Sequence, residues 1–523
     1  SLLVDKTCEK TRKTGQWVAR YFLSAGVVVW LLAMMLEIHR FLPLQQLLWI
    51  EAMMAITAAA LLWLGHKKAL PDFKWAALSV VFGMIIPLYL SLVSHAWPIP
   101  VFSADSLPLI NVTFAALLIY FLTHFLMAHY WRTGAAVESV YNRLIVRSLM
   151  VMALLSWVVN GIYEIDKFFN LPGLLTVIVV FFSASFVLFI WLAHYLKWPD
   201  LHRIKYGMTP LLLLLALLTP IFQDFHQAFG LVAWLAAFAV NYWLLKLYAK
   251  RMQAIDYYHT FSLWLLSYIA VYEFVTLIAE QMGRHTIWHS ASFAAMLLAL
   301  SATVFMLRNK LKWPLLAQPK AYFKWALPVM MWVLWGAIVL LNIKNPGSLN
   351  GVPYVPVLNV IDVLGLLTLL LAIKMHQDNP SVFFVDSMKV NYVLLAVTGF
   401  LMLNATMLRC FHYWYGIDYK LIDLMTSFRV QTGFSILWAA TAVTLMVMAA
   451  RKKSRAVWLL GLALMIVVVA KLFLVDMSAS GSIERIVAFL SVGLLLSLVG
   501  YFSPLPPTSK SEAHIEAGEP HEA

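Results

Sequence analysis

Four charged side chains stand inside long apolar runs of this chain: Glu51, Glu273, Asp362 and Lys471. A charge at mid-bilayer costs roughly 2.5–3.5 kcal/mol on insertion scales, so each needs a reason to be there. Asn359 precedes Asp362 by three residues, which places both on one helix face. Arg409, His412, Arg429, Gln431, Asp476 and Arg485 stand near the ends of the same or neighbouring runs. Carboxylates and bases collected in this way suit proton coupling, passage of an ion or solute, or acid–base chemistry. A polar cavity open to the outside, lined by these ten residues (Glu51 left unassigned), is the expected site. Lys471 is close enough to its helix end to snorkel to the headgroups. Asp476 and Arg485 flank a very short turn and can pair across it.

Other chemistry finds less support. His124 and His129 are five residues apart, about 140° round a helix, so they share no face and imply no metal. No phosphate-binding Gly-rich loop, zinc-type Cys/His spacing or Gly-x-Ser-x-Gly elbow occurs, and no cofactor is implied. Cys8 and Cys410 are expected on opposite faces of a membrane, unable to pair.

The elements that position these groups must be membrane helices. Hydrophobic residues make up 62% of the 523 and charged residues 12%, about half the charge of a water-soluble domain. Lipid offers backbone groups no water, so each continuous apolar run must be helical. The runs predict an all-α polytopic bundle over residues 1–507, with about sixteen spans. Among them are Trp75–His95, Leu107–Trp131, Met208–Phe222, Val355–Met375, Lys389–Leu408, Arg429–Ala450, Val457–Met477 and Arg485–Phe502. Thr508–Ala523 is expected to be a disordered tail.

An even count puts both termini on one side. About 29 of the Lys and Arg residues then fall there, against roughly eight opposite, which makes that side cytoplasmic. The net charge of +13 is therefore loop charge, and nucleic acid is not an expected partner. Membrane lipids and envelope proteins are, and the location is a bacterial cytoplasmic (inner) membrane. The oligomeric state stays open.

Leu196-Lys197-Trp198-Pro199 recurs as Leu311-Lys312-Trp313-Pro314, read as two interfacial anchors rather than a repeat. Pro87, Pro210, Pro220 and Pro328 are candidate kinks of the sort found in carriers.

Several phrases are specific. They are Pro353-Tyr354-Val355-Pro356-Val357-Leu358-Asn359-Val360-Ile361-Asp362, Arg409-Cys410-Phe411-His412-Tyr413, Gln431-Thr432-Gly433-Phe434-Ser435-Ile436-Leu437-Trp438, Lys471-Leu472-Phe473-Leu474-Val475-Asp476, and Glu484-Arg485-Ile486-Val487 running to Pro504-Leu505-Pro506-Pro507. Over Val352 to Pro507 the chain resembles DUF2339, an uncharacterised family of bacterial membrane proteins. The resemblance implies a polytopic membrane fold and no particular activity. Family members usually read Asn-Pro-Leu-Asp/Glu where this chain has Asn359-Val360-Ile361-Asp362, and they are often longer at the N-terminus.

Three functions follow from these features. The first is a transporter or flippase-like carrier. The second is an enzyme acting on an envelope lipid or glycan, with Asp362 or His412 as base and Arg409, Arg429 or Lys471 holding a phosphate or carboxylate. The third is a scaffold for envelope proteins whose polar groups serve helix packing.

Overall fold

A computed structural model describes residues 2–42, 45–67, 70–93, 107–134, 140–348, 353–378 and 388–472, with 474, 490, 493, 494 and 497. Among the described residues the secondary structure is helical, apart from one isolated bridge between Leu107 and Ile110. Among the described residues, fourteen helices are long and apolar enough to cross a membrane. The chain divides into two compact units, Ser1–Val240 and Asn241–Ala523.

The first unit holds α1 (Leu2–Phe41), α2 (Gln46–Lys67), α3 (Pro71–Gly83), α4 (Ile85–Val93), α5 (Val112–Gly134), α6 (Val140–Phe168), α7 (Leu174–Tyr195) and α8 (Met208–Phe222). The boundary falls inside α9 (Gly230–Leu247). One core joins Ile50, Met54, Val81, Phe121 and Leu149 to Trp198. Trp198 is fully enclosed. Phe125 and His129 pack on its ring, and the Arg132 guanidinium lies 5.4 Å from its centroid. The same guanidinium donates to the carbonyls of Lys197 and Leu196 at 2.9 and 3.2 Å. His124 is also enclosed, its Nδ1 2.9 Å from the Tyr120 carbonyl.

The second unit holds α10 (Ile255–Met282), α11 (Ile287–Met306), α12 (Leu327–Lys344), α13 (Val360–Asp378), α14 (Met388–Tyr415), α15 (Leu421–Thr426), α16 (Phe428–Arg451) and α17 (Arg455–Lys471). Its main core runs from Leu263 and Ala294 through Leu334 and Ile338 to Met375. Trp313, of the second Leu-Lys-Trp-Pro segment, meets Tyr242 and His259, with Lys246 5.5 Å above its ring.

The prolines play unequal parts. The run 75–95 is broken at Met84, between α3 and α4. Pro87 lies three residues on and has no N–H to give to Gly83, which accounts for the break. Pro210 and Pro328 sit in the first turns of α8 and α12, just after a 3-10 segment (Leu201–Gly207) and a π-helical segment (Lys320–Ala326) pass into α-helix. Pro220 lies in the last turn of α8.

Two boundaries matter for the site. The helix expected from Val355 begins at Val360. The helix expected to end at Leu408 continues to Tyr415, so Arg409 and His412 belong to its last turns and not to a loop. The run 457–477 is helical as α17 over Arg455–Lys471, and the run 485–502 lies outside the described residues save for single helical positions.

Candidate functional site

Asn359 opens the site by starting a helix. Its Oδ1 accepts the Ile361 N–H at 3.0 Å, a helix-capping bond, and its Nδ2 donates to the Gly347 carbonyl at 2.6 Å. Gly347 has φ +80°, and a Cβ there would come within 2.8 Å of Asn359 Oδ1. Only glycine lets the loop close this tightly on the cap. Asn359 therefore stands ahead of the helix, while Asp362 is its third residue, where the helix dipole favours a carboxylate.

Asp362 is 4% exposed and meets four donors. Arg409 Nη1 donates to Oδ1 at 2.5 Å and Thr406 Oγ1 to the same oxygen at 2.9 Å. The Tyr354 hydroxyl and the Val357 N–H donate to Oδ2, each at 3.3 Å. Thr406 and Arg409 are three apart on α14, so one helix face supplies both.

Arg409 is completely enclosed. Its Nη2 donates to Asn342 Oδ1 at 2.8 Å, and its Nε has no partner among the described residues. Asn342 is held in turn: its Nδ2 donates to the Ile338 carbonyl and its own carbonyl accepts from the Tyr419 hydroxyl, both at 2.8 Å. The Tyr354 and Tyr413 rings stack at 4.7 Å. His412 packs against Tyr413 and Tyr419, with Nδ1 2.7 Å from the Ile417 carbonyl. Burial, then the Asp362 charge, push the Tyr354 hydroxyl above its usual range, and burial does the same to Tyr419. Both loop tyrosines therefore remain donors at physiological pH.

A cavity of about 200 Å³ adjoins this network. Asn342, Tyr419, Asn404 and Thr398 supply its polar wall, and Met402 and Leu408 part of its apolar one. Asn404 and Thr398 are bonded outward, accepting from the indoles of Trp438 at 2.7 Å and Trp335 at 2.8 Å. Asn342 and Tyr419 thus connect the cavity to the guanidinium.

The remaining sequence candidates divide. Lys471 donates to the Gln431 carbonyl and to Ser435 Oγ, both at 2.9 Å, pinning α17 to α16. The Gln431 side chain turns back to the Met425 carbonyl at 2.6 Å. Arg429 lies over the Tyr415 ring at 5.4 Å. Glu273 is partly buried on α10, an element that supplies none of the four donors to Asp362. Asp476 and Arg485 lie outside the described residues. Sequence reasoning passed over Asn342, Tyr354, Thr406 and Tyr419, which carry no charge. The signal available was an amide, Asn342, within an apolar run.

In chemical terms, a buried guanidinium neutralised by one carboxylate, with a spare N–H and a neighbouring cavity, is suited to an anion. No curated protein and no solved structure matches the chain. The family model DUF2339, described as a predicted membrane protein, matches residues 10–506. The likeness seen in the last third of the sequence therefore extends over nearly its whole length, and the chain belongs to the DUF2339 family of multi-pass membrane proteins.

Proposed function

We infer that this protein is a membrane carrier for a small anionic solute and that the Asp362–Arg409 pair is its gate. In this reading it sits in a bacterial cytoplasmic membrane with about sixteen spans and both termini inside. The observation that carries the reading is the fully enclosed Arg409, shared between Asp362 and the cavity-wall amide Asn342. Buried charges in membrane helices mark solute and ion pathways. An anion that reaches Arg409 from the cavity side competes with Asp362 for the guanidinium and opens the pair.

The enzyme reading asks for a base with an available lone pair. Asp362 is met by four donors, whereas His412, its Nδ1–H given to the Ile417 carbonyl, keeps the Nε2 lone pair that this reading needs. The carrier reading uses the Asp362–Arg409 pair as it stands and asks nothing of His412.

The test is solid-supported-membrane electrophysiology on proteoliposomes, stepping through carboxylates, phosphates and sulfonates. At least one anion should give a saturable current in the wild type. Asp362→Asn should tighten its binding and slow turnover, because Arg409 loses its internal competitor. Arg409→Gln and the cavity-filling Ala405→Trp should abolish the current. The reading fails if no anion gives a current, or if Arg409→Gln and Ala405→Trp carry it undiminished.

A further inference from the structure

The cavity beside the Asp362–Arg409 pair is walled mostly by hydrocarbon. Ile338 and Val339 of α12, Leu401, Met402 and Ala405 of α14 and Leu424 of α15 form much of its surface. The polar side chains in that wall are already engaged. Thr398 Oγ1 and Asn404 Nδ2 donate to carbonyls one turn back on α14, both at 2.7 Å, and each residue also accepts an indole N–H. Tyr419 gives its proton to the Asn342 carbonyl, while the Asn342 amide holds Arg409 and the Ile338 carbonyl. A wholly hydrophilic anion would lose its water in this cavity and find little to replace it. An apolar group is the guest that fits.

The cavity also touches two different surroundings. Ile343 and Leu401 line it and are 61% and 47% exposed. Both belong to helices long and apolar enough to span the membrane, where exposed apolar side chains face lipid tails. Asn342 lines the cavity as well, and accepts from Arg409 Nη2 at 2.8 Å. Leu408, also in the lining, directly precedes Arg409, and Ala405 lies one helical turn before it. One side chain, Asn342, therefore separates a guest in the cavity from the guanidinium.

The geometry points to an amphipathic anion as the solute: one carboxylate or phosphate for Arg409, and an apolar tail in the α12–α14 cavity, entering from the lipid. This rests on the carrier reading for the role of Arg409 and adds the tail to it. An apolar cavity of about 150 Å³ admits benzene in another protein, so the roughly 200 Å³ here has room for a chain of about eight carbons. A free medium-chain acid and a single-chain lipid phosphate share this chemistry.

The probe is octanoate carrying a diazirine at its tail end, photolysed with the full chain in phosphatidylcholine nanodiscs and mapped by mass spectrometry. Labelling should fall on the cavity residues of α12 and α14 and be blocked by unlabelled octanoate. At equal free concentration butyrate should block roughly tenfold less well or worse, since each buried methylene is worth about fourfold. Octan-1-ol, with the tail but no charge, should also block roughly tenfold less well, the worth of a charged hydrogen bond. Leu401→Trp narrows the cavity from its exposed rim, where the fold is not at stake, and should cut the preference for octanoate over butyrate roughly tenfold. Blocking by lysophosphatidic acid assigns the natural head to a lipid phosphate, and blocking by octanoate without it assigns the head to a free acid. The inference is overturned by labelling that misses the lining, by butyrate or octan-1-ol blocking as well as octanoate, or by an unchanged preference in Leu401→Trp. Octanoate binding without a current from any anion sinks the carrier reading alone, and an acetate current without cavity labelling sinks the tail alone.

Discussion

Removing either member of the Asp362–Arg409 pair should destabilise the second unit, but by unequal amounts. In Asp362→Asn the new amide nitrogen is a donor. If it takes the Oδ2 position, it faces two further donors, the Tyr354 hydroxyl and the Val357 N–H. If it takes the Oδ1 position, it faces Thr406 and Arg409. Either way two donors lose their acceptor, and the enclosed Arg409 loses its counter-charge. Breaking a buried pair in this way costs about 3–5 kcal/mol. In Arg409→Gln the carboxylate retains three of its four donors, so the cost should be about 2 kcal/mol, near that of one lost charged hydrogen bond. The double variant should recover about 2 kcal/mol of the summed losses, since neither charge is then stranded. Reversible unfolding in mixed micelles, titrated with dodecyl sulfate and read by tryptophan fluorescence, measures all three. If Arg409→Gln costs as much as Asp362→Asn, or the two losses add within about 0.5 kcal/mol, the network as drawn is wrong.

Further outcomes follow from the same geometry. The charge swap Asp362→Arg with Arg409→Asp should remain at least as unstable as either single variant in that titration, because Thr406, Tyr354 and the Val357 N–H would then face a guanidinium and Asn342 Oδ1 a carboxylate. Asn359→Ala should cost about 1–2 kcal/mol, the helix cap and the bond to Gly347 together, and should speed proteolysis at residues 345–348 and 353–359. Gly230→Ala should destabilise by about 1–3 kcal/mol, since its Cβ would lie 2.1 Å from the backbone oxygen of Phe225. Gly399→Ala, whose Cβ would find only Leu369 at 3.9 Å, should stabilise α14 by about 0.5–1 kcal/mol; thermal unfolding in detergent separates the two.

Most spans were legible because lipid forces every long apolar run to be helical: the run read as Met208–Phe222 is α8 to the residue. The misplaced boundaries share one cause. Arg409 and His412 read as a loop because charge interrupts apolarity, yet the guanidinium is neutralised by a residue 47 positions away, and local composition cannot show such pairing. Asn359 read as a helical residue because its cap bond depends on where the loop from Gly347 returns. Glu51 offered no partner in the sequence and has none among the described residues. The burial of Trp198 under the Arg132 guanidinium, 66 positions away in sequence, was likewise not visible in its Lys-Trp-Pro setting.

The groups that hold Asp362 form a carboxylate cradle that does not depend on the residue's own backbone. Two hydroxyls, the Val357 N–H, the start of α13 and the Arg409 guanidinium converge on two oxygens. If that cradle is preformed, as a gate that exchanges one carboxylate for another requires, a free carboxylate should fill it once the side chain is gone. Asp362→Ala should therefore regain stability when acetate or formate replaces chloride at constant ionic strength. Ligand at a hundred times its dissociation constant returns about 2.7 kcal/mol, most of the expected loss. The dodecyl sulfate titration repeated over a range of acetate concentrations reads the recovery directly. Arg409→Gln serves as the control, because it lacks the charge that draws the anion in. Equal effects of acetate and chloride on Asp362→Ala, or equal recovery by Arg409→Gln, would show that the donors collapse without Asp362, and a collapsed cradle cannot receive a solute.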